Sequence, residues 1–372
     1  MPLARPVLPG KTYMLTRRAT RRRWLLRPDA NGRSQQIYLY TLGYNANEHG
    51  ILVHNLCQMS SHDHETITDV LGTLPLFLRG FHRDLANAMK CHRGWSGEFY
   101  DKNQTSRVEL TSPAAVLEEM AYVLVNPTDS GGVWDYEAWP GVTVKCNEIG
   151  EKVFAVKRPE VYFDPNNKEK NWPDEIELRI VMPETLLREY GGLKEAQQAL
   201  KSRCEVLADK ARTERRKLGL AFGTPASAVQ SKFTRRSSSY EVFGALRPTF
   251  ATGGEPEAAE QAREARAQFL SEYVSYRVPG PSPGTHSCVR TLIRGVNLQP
   301  ACVSVHRFSI PRHAPIPYPA SPAAPADATV SDFAPATMDG SPSADLPPRA
   351  VQSVAGGCRR KTHLHTLWRR RA

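Results

Sequence analysis

Ile51-Leu52-Val53-His54-Asn55-Leu56-Cys57-Gln58-Met59, then Ser60-Ser61, then His62-Asp63-His64-Glu65-Thr66-Ile67-Thr68 is the stretch on which the fold turns. An apolar, β-branched run meets two small polar residues and a second run of alternating character. The pattern reads as strand, tight turn, strand. Side chains alternate along a strand, so His62 and His64 point the same way and can share one metal ion.

On the N-terminal side, Tyr13 to Leu26 reads as a strand interrupted by Arg17, Arg18, Arg21, Arg22 and Arg23. Arginine forks onto phosphate oxygens, so this cluster is a candidate DNA-binding surface. Ser34 is placed to cap a helix running to about Asn47. After the paired strands, Leu74, Phe77, Leu78, Phe81, Leu85 and Met89 mark an amphipathic helix. Its other side carries Arg79, His82, Arg83 and Lys90, and Gly94 and Gly97 end it. Arg79 and Arg83 join the candidate DNA contacts. Ser106 to Leu110 is a short strand. The order strand, helix, strand, strand, helix, strand predicts an α+β chain with a ferredoxin-like βαββαβ sandwich.

A third helix follows. Ser112-Pro113 supplies a cap and a first-turn proline. Leu117, Met120, Ala121 and Leu124 recur on one face. Tyr122 and Asn126 fall away from the centre of that stripe, four positions apart and therefore neighbours. Pro127 is expected to stop the helix.

The ordered set His62-x-His64 with Tyr122-x-x-x-Asn126-Pro127 resembles the single-tyrosine HUH transposases, the REP-associated tyrosine transposases in particular. The similarity runs from about Gly10 to Gly141. It takes in His49-Gly50-Ile51-Leu52-Val53-His54 before the histidines, and Gly132-Val133 and Trp139-Pro140-Gly141 after the tyrosine. The resemblance implies that the tyrosine helix is added to the sandwich so that Tyr122 reaches the sheet face with the histidines. It implies Tyr122 as nucleophile, His62 and His64 as ligands of a divalent metal, and Asn126 as a third. Imidazoles by themselves suit zinc, copper, iron or nickel; the resemblance implies magnesium or manganese. It also implies single-stranded DNA with hairpin-forming repeat ends as partner, cleaved and transferred through a 5′-phosphotyrosine by a monomer or homodimer.

The chain departs from that pattern in places. Asp63 stands where a bulky apolar residue is usual, and is a costly charge if that face is buried and unpaired. Ser61 stands where asparagine is common, and Thr128-Asp129-Ser130-Gly131 replaces a more apolar segment. These changes keep open a rival reading, an inactive, domesticated single-stranded DNA or hairpin-binding protein. A rolling-circle initiator or relaxase is a third, disfavoured by the Asn-Pro after the tyrosine and the lack of a glycine-rich phosphate loop.

The whole composition is consistent with a polyanionic partner without naming one. Lys and Arg number 49 against 38 Asp and Glu, a formal charge of +11. No apolar run approaches the roughly 20 residues that span a bilayer, and no signal peptide is read at the N-terminus. Seven scattered cysteines without a CxxC suggest a reducing, cytoplasmic setting.

Beyond Gly141, Val153 to Val156 and Ile176 to Met182 alternate like strands around the polar loop Asp164 to Trp172. Leu193, Ala196, Leu200, Cys204, Leu207 and Ala211 mark a helix ending in Arg212, Arg215, Arg216 and Lys217. Arg235 to Ser239 reads as loop and Glu257 to Tyr273 as a last helix. From Val278 the chain is rich in Pro, Ala, Ser and Arg without periodicity, which predicts a disordered tail. The expected divisions are a transposase-like domain at 1–142, a strand-rich extension at 143–185, a basic helical region at 186–275 and the tail at 276–372. His363-Leu364-His365 repeats the His-x-His spacing in that tail and is read as incidental.

Overall fold

Strands β1 (Lys11–Arg18), β2 (Ile51–Gln58), β3 (His62–Asp69) and β4 (Ser106–Leu110) line up in the order β2-β3-β1-β4, every neighbour antiparallel. With helices α1 (Arg33–His49) and α2 (Leu74–Arg93) as the crossovers, this is the ferredoxin-like βαββαβ arrangement. The computed structural model describes residues 5–102, 105–167, 171–237 and 248–275. The expected tail and the His363/His365 pair lie outside the described residues. Among the described residues no helix is long and apolar enough to cross a membrane.

Register decides which side chains share a face. Arg17 pairs with Asp63, Thr16 with His64 and Arg18 with His62. Thr16, Arg18, His62 and His64 therefore project from one face of the sheet, and Leu15, Arg17, Asp63 and Glu65 from the other. The second face carries α1 and α2. Tyr38 of α1 donates its hydroxyl to Glu65 Oε1 at 2.5 Å, and its ring meets Phe81 of α2 edge-on, centroids 5.9 Å apart. Leu15, Leu56, Ile67, Phe77 and Phe81 are fully buried there, each such side chain contributing about 2 kcal/mol. The two helices approach closely at Gly80, where a Cβ would stand 2.2 Å from Asn45 Oδ1.

The caps differ from expectation in one place. Ser34 lies inside α1, buried, with Oγ donating to the Arg27 carbonyl at 2.9 Å. Asp29 does the capping instead, its Oδ2 accepting from the Ser34 N–H at 3.2 Å. Asp69 does the same for α2, accepting from the Thr73 and Leu74 N–H groups, each at 2.9 Å. The first strand is also shorter than the basic pattern suggested. It stops at Arg18, and a tight turn at Thr20–Arg22 follows, with Arg21 and Arg22 at φ 49° and 54°.

Helix α3 (Pro113–Asp129) covers the first sheet face, where Asn55 Nδ2 donates to the Met120 carbonyl at 2.8 Å. Ser112 caps it as expected, accepting from the Ala115 N–H at 3.1 Å. Pro127 does not stop it. Proline's φ is already helical, and the costs of its missing N–H and of its ring against the Val123 carbonyl fall in the final turn. The last turn is closed by Ser130 N–H to the Asn126 carbonyl and Gly132 N–H to that of Pro127, at 2.9 and 2.8 Å.

Strands β5 (Val153–Lys157) and β6 (Glu175–Arg179) form a separate antiparallel pair against α1. Short α4 (Glu184–Tyr190) leads into α5 (Leu193–Lys217), which packs along α3 with an Arg203–Glu118 ion pair. With the sheet on one side and α5 on another, α3 is buried almost all round, more widely than the apolar stripe predicted. Three elements lacked a readable signal: α4, α6 (Pro225–Gln230) and β7 (Phe250–Ala251), which adds a parallel fifth strand beside β4. The last helix is α7 (Pro256–Ser275).

Candidate active site

His62 and His64 stand side by side on β3 with ring centroids 4.8 Å apart. The Tyr122 ring comes down from α3 edge-on to His64, centroids 5.6 Å apart. One helical turn on, Asn126 is buried with Oδ1 at 3.3 Å from His62 Nε2. The two stretches that sequence spacing singled out are thus brought to one pocket. Because α3 runs on through Pro127, Asn126 keeps its place in a regular turn after Tyr122.

Each imidazole is oriented through its other nitrogen. Ser61 Oγ is 3.1 Å from His62 Nδ1. Thr16 Oγ1 is 2.9 Å from His64 Nδ1 and 3.3 Å from Met14 Sδ. Metal binding through Nε2 requires the tautomer with the proton on Nδ1, and Thr16 Oγ1 is placed to accept that proton. His64 Nε2 is buried without a hydrogen-bond partner among the described residues. At His62, Nε2 and Asn126 Oδ1 cannot face each other as two bare lone pairs at 3.3 Å. A proton on Nε2, a rotated Asn126 amide that donates Nδ2–H, or a bound cation each reconciles them. An orphaned imidazole nitrogen, a second imidazole and an amide oxygen brought together this way fit a divalent metal. Among the described residues no group of three or more His, Cys, Asp or Glu forms a metal cluster; the set here is completed by an amide.

The electrostatics keep both imidazoles neutral. Burial, then the Arg18 charge, pushes His62 down to about 4 against a smaller lift from Asn126. Burial, then His62 and Arg18, holds His64 well below the ordinary imidazole value. Neutral imidazole is the form that binds metal. Tyr122 is half-buried, and its phenol is pushed well above the ordinary value by burial and by Asp129 and Glu119. Arg18 and a hydrogen bond with Asn126 work in the opposite direction.

The arginines divide. Arg18 is exposed, on the histidine face opposite His62. Arg21, Arg22 and Arg23 follow in the tight turn, where Arg21 N–H is bonded to Asp101 Oδ1 at 2.8 Å and the Arg23 guanidinium lies 5.0 Å from the Trp95 ring. Arg17 lies on the other face. Its backbone N–H reaches Asp63 Oδ1 at 3.1 Å and its guanidinium sits 4.8 Å from the Tyr100 ring. Asp63 is indeed buried, and burial lifts its carboxyl to about 7, opposed by the Arg17 charge. Arg79 and Arg83 are exposed on α2, across the sheet from the histidines.

Sequence reading missed Thr16 and the segment Arg235–Ser237. Thr16 had a usable signal, since it alternates onto the histidine face of a strand that must neighbour β3. Ser237 had none. Its Oγ lies 3.3 Å from Ser61 Oγ and 3.0 Å from Trp24 Nε1, contacts made across some two hundred residues of chain.

The sequence matches no known family profile and no curated protein. Among solved structures the chain is similar to a REP-associated tyrosine transposase bound to a REP hairpin, at 14% identity and a TM-score of 0.33, over 38% of this chain and 81% of that one.

Proposed function

We propose that the chain cleaves and rejoins single-stranded DNA through Tyr122, as a tyrosine transposase does. The observation that carries this reading is the convergence of Tyr122 and Asn126 from α3 with His62 and His64 from β3, beside an unpartnered imidazole nitrogen. His62, His64 and Asn126 would hold a divalent cation, magnesium or manganese. Such a cation supplies Lewis-acid neutralisation of the charge that develops on the phosphate.

The protein's own groups supply the rest. Tyr122 Oη forms the bond to phosphorus while the bond from phosphorus to the 3′ oxygen breaks. The phenol proton passes to solvent, and the 3′ oxygen takes one up. The products are a 5′-phosphotyrosine and a free 3′-hydroxyl. Attack of such a hydroxyl on another phosphotyrosine reverses the step and joins strands, with the bond energy kept in the covalent link. Arg18 places positive charge beside the pocket and opposes the pull of Asp129 and Glu119 on the phenol. A half-buried tyrosine favours an unpaired strand, whose backbone can bend into the pocket. Hairpin-forming repeat ends are the substrate class assigned on this reading.

Labelled hairpin and unstructured single strands, incubated with manganese and run on a denaturing gel, test the proposal. A covalent protein–DNA adduct is expected. A second reading, a non-catalytic DNA-binding protein, is favoured by the buried carboxyl of Asp63, which departs from the family pattern. Binding without an adduct on any of these substrates would decide for it.

A further inference from the structure

The segment Ser231–Ser237 lies far from the histidines in sequence and close to them in space. Its backbone runs beside the end of the basic turn. Trp24 N–H donates to the Arg235 carbonyl at 2.9 Å, Ser237 N–H to that of Arg22 at 3.0 Å, and Arg23 and Arg236 form an antiparallel bridge. The segment ends on Ser61, the residue before His62 and the hydroxyl that orients it.

We propose that Arg235 and Arg236 extend the basic turn at Arg21–Arg23 into a track that binds the sugar–phosphate backbone of a single-stranded polynucleotide beside the His62–Tyr122 pocket. The proposal rests on the reading of that pocket given above. Three observations carry it. First, Arg21, Arg235 and Arg236 are exposed, and the side chains of Arg21 and Arg236 make no hydrogen bond or ion pair among the described residues. Like charges gathered this way repel one another until a polyanion neutralises them. Second, the nearby acid Asp101 is engaged by the Arg21 backbone N–H rather than by that guanidinium. Arg21 and Arg22 hold left-handed φ of 49° and 54°, conformations that cost non-glycine residues on the order of 1 kcal/mol or more and that collect at binding sites. Third, aromatic rings are interleaved with the cations. The Arg235 guanidinium lies 4.4 Å from the Trp24 ring, and Arg23 sits over Trp95. Arginines set among half-buried tryptophans suit an unpaired strand, whose bases stack while its phosphates are paired. A free phosphate would use one arginine; several along a turn and an adjoining segment fit successive phosphates.

The test uses the full chain carrying Tyr122→Phe, so that the probe is not consumed. The probe is a labelled oligothymidine, with binding followed by fluorescence anisotropy over a series of KCl concentrations. For single strands, log K falls with log salt by about 0.7 per phosphate neutralised, so Arg235→Gln/Arg236→Gln should flatten the slope by about 1.4. Arg236→Gln alone, which leaves the Arg235–Trp24 contact in place, should flatten it by about 0.7. Lys157→Gln/Arg179→Gln, exposed on the β5–β6 pair, should leave it unchanged. A parent that binds with a steep slope which Arg235→Gln/Arg236→Gln does not alter overturns the track and spares the function proposed above. An equal effect from the β5–β6 pair also overturns it, in favour of a diffuse basic surface. A parent without salt-dependent binding removes both the track and the reading on which it rests.

Discussion

His62 Nε2 and Asn126 Oδ1 meet at 3.3 Å, one atom from a strand and the other from a helix that the sequence separates by 64 residues. The contact ties β3 to α3 at the place where Tyr122 lies against His64. It follows that the metal-binding proposal has testable parts on both elements. His62→Ala and His64→Ala should each abolish saturable manganese binding in calorimetry and with it the covalent adduct. DNA affinity should persist, because the arginines are untouched. Normal manganese binding in either variant would mean that the imidazoles are not ligands.

The partner that orients His64 gives a graded test. Thr16→Val keeps the shape of the side chain and removes the hydroxyl that stands 2.9 Å from His64 Nδ1. Loss of such an orienting contact costs about 10–100-fold in metal affinity. The manganese dissociation constant should rise within that range, with little change in melting temperature. An unchanged constant would show that Thr16 merely packs beneath the ring.

Much of this was legible in the sequence because two periodicities are clean. An apolar run marks β2, alternation marks β3, and the 3.6-residue stripe marks α2. Alternation also fixes His62 and His64 on one face, and four-residue spacing makes Tyr122 and Asn126 neighbours on α3. The same rule, applied to β1, would have parted Arg17 from Arg18, since consecutive strand residues face opposite ways. Which face α2 covers depends on the direction of the chain's crossovers, so Arg79 and Arg83 could not be placed from their own neighbourhood. Ser34 looked like a cap because it is a serine before an apolar pattern, yet Asp29 holds that helix start from five residues upstream. Proline at 127 signals a stop in the sequence, yet in the final turn its missing N–H and ring clash cost little enough for α3 to run on to Asp129. Ser237 and β7 depend wholly on tertiary contacts.

Asp29 carries an acid-stability prediction. Burial alone would raise its carboxyl, but hydrogen bonds from His92 and Arg93, and then their charges, outweigh burial and hold it far below the ordinary value. Its contacts are short, 2.6 Å to His92 and 2.5 Å to Arg93. A carboxyl whose folded value lies below its unfolded value stabilises the fold fully above the unfolded value, about pH 4, and loses that contribution as pH falls through the folded one. Melting temperature should therefore drop steeply below about pH 4 in the wild type. Asp29→Asn should melt lower at neutral pH, by about 1–3 kcal/mol, with a shallower acid limb. Parallel curves for the two proteins would rule out this linkage.

Gly80 tests the close approach of α1 and α2. A methyl group there would fall 2.2 Å from Asn45 Oδ1, an amide whose Nδ2 is bonded to the Thr41 carbonyl at 2.9 Å and cannot move without losing that bond. Gly80→Ala should gain helix propensity yet lose about 1–3 kcal/mol through overpacking. A chemical-denaturation midpoint equal to or above wild type would show that the helices can part without cost.

Tyr122→Phe separates chemistry from structure. The change removes one oxygen from a half-buried ring that keeps its edge-on contact with His64, so the fold should survive. Stability should change by about 1 kcal/mol or less. The proposed nucleophile is gone, so the adduct should vanish while manganese and DNA binding remain. Two other tyrosines serve as controls. Tyr100 is across the sheet beneath Arg17, and the Tyr136 hydroxyl is bonded to Glu205 Oε1 at 3.0 Å. Neither ring lies against the histidine pair, so Tyr100→Phe and Tyr136→Phe should still form the adduct. Mass spectrometry of the wild-type adduct should place the nucleotide on Tyr122. A nucleotide mapped to Tyr100 or Tyr136 would preserve the chemistry and refute the site; an adduct that persists in Tyr122→Phe would do the same.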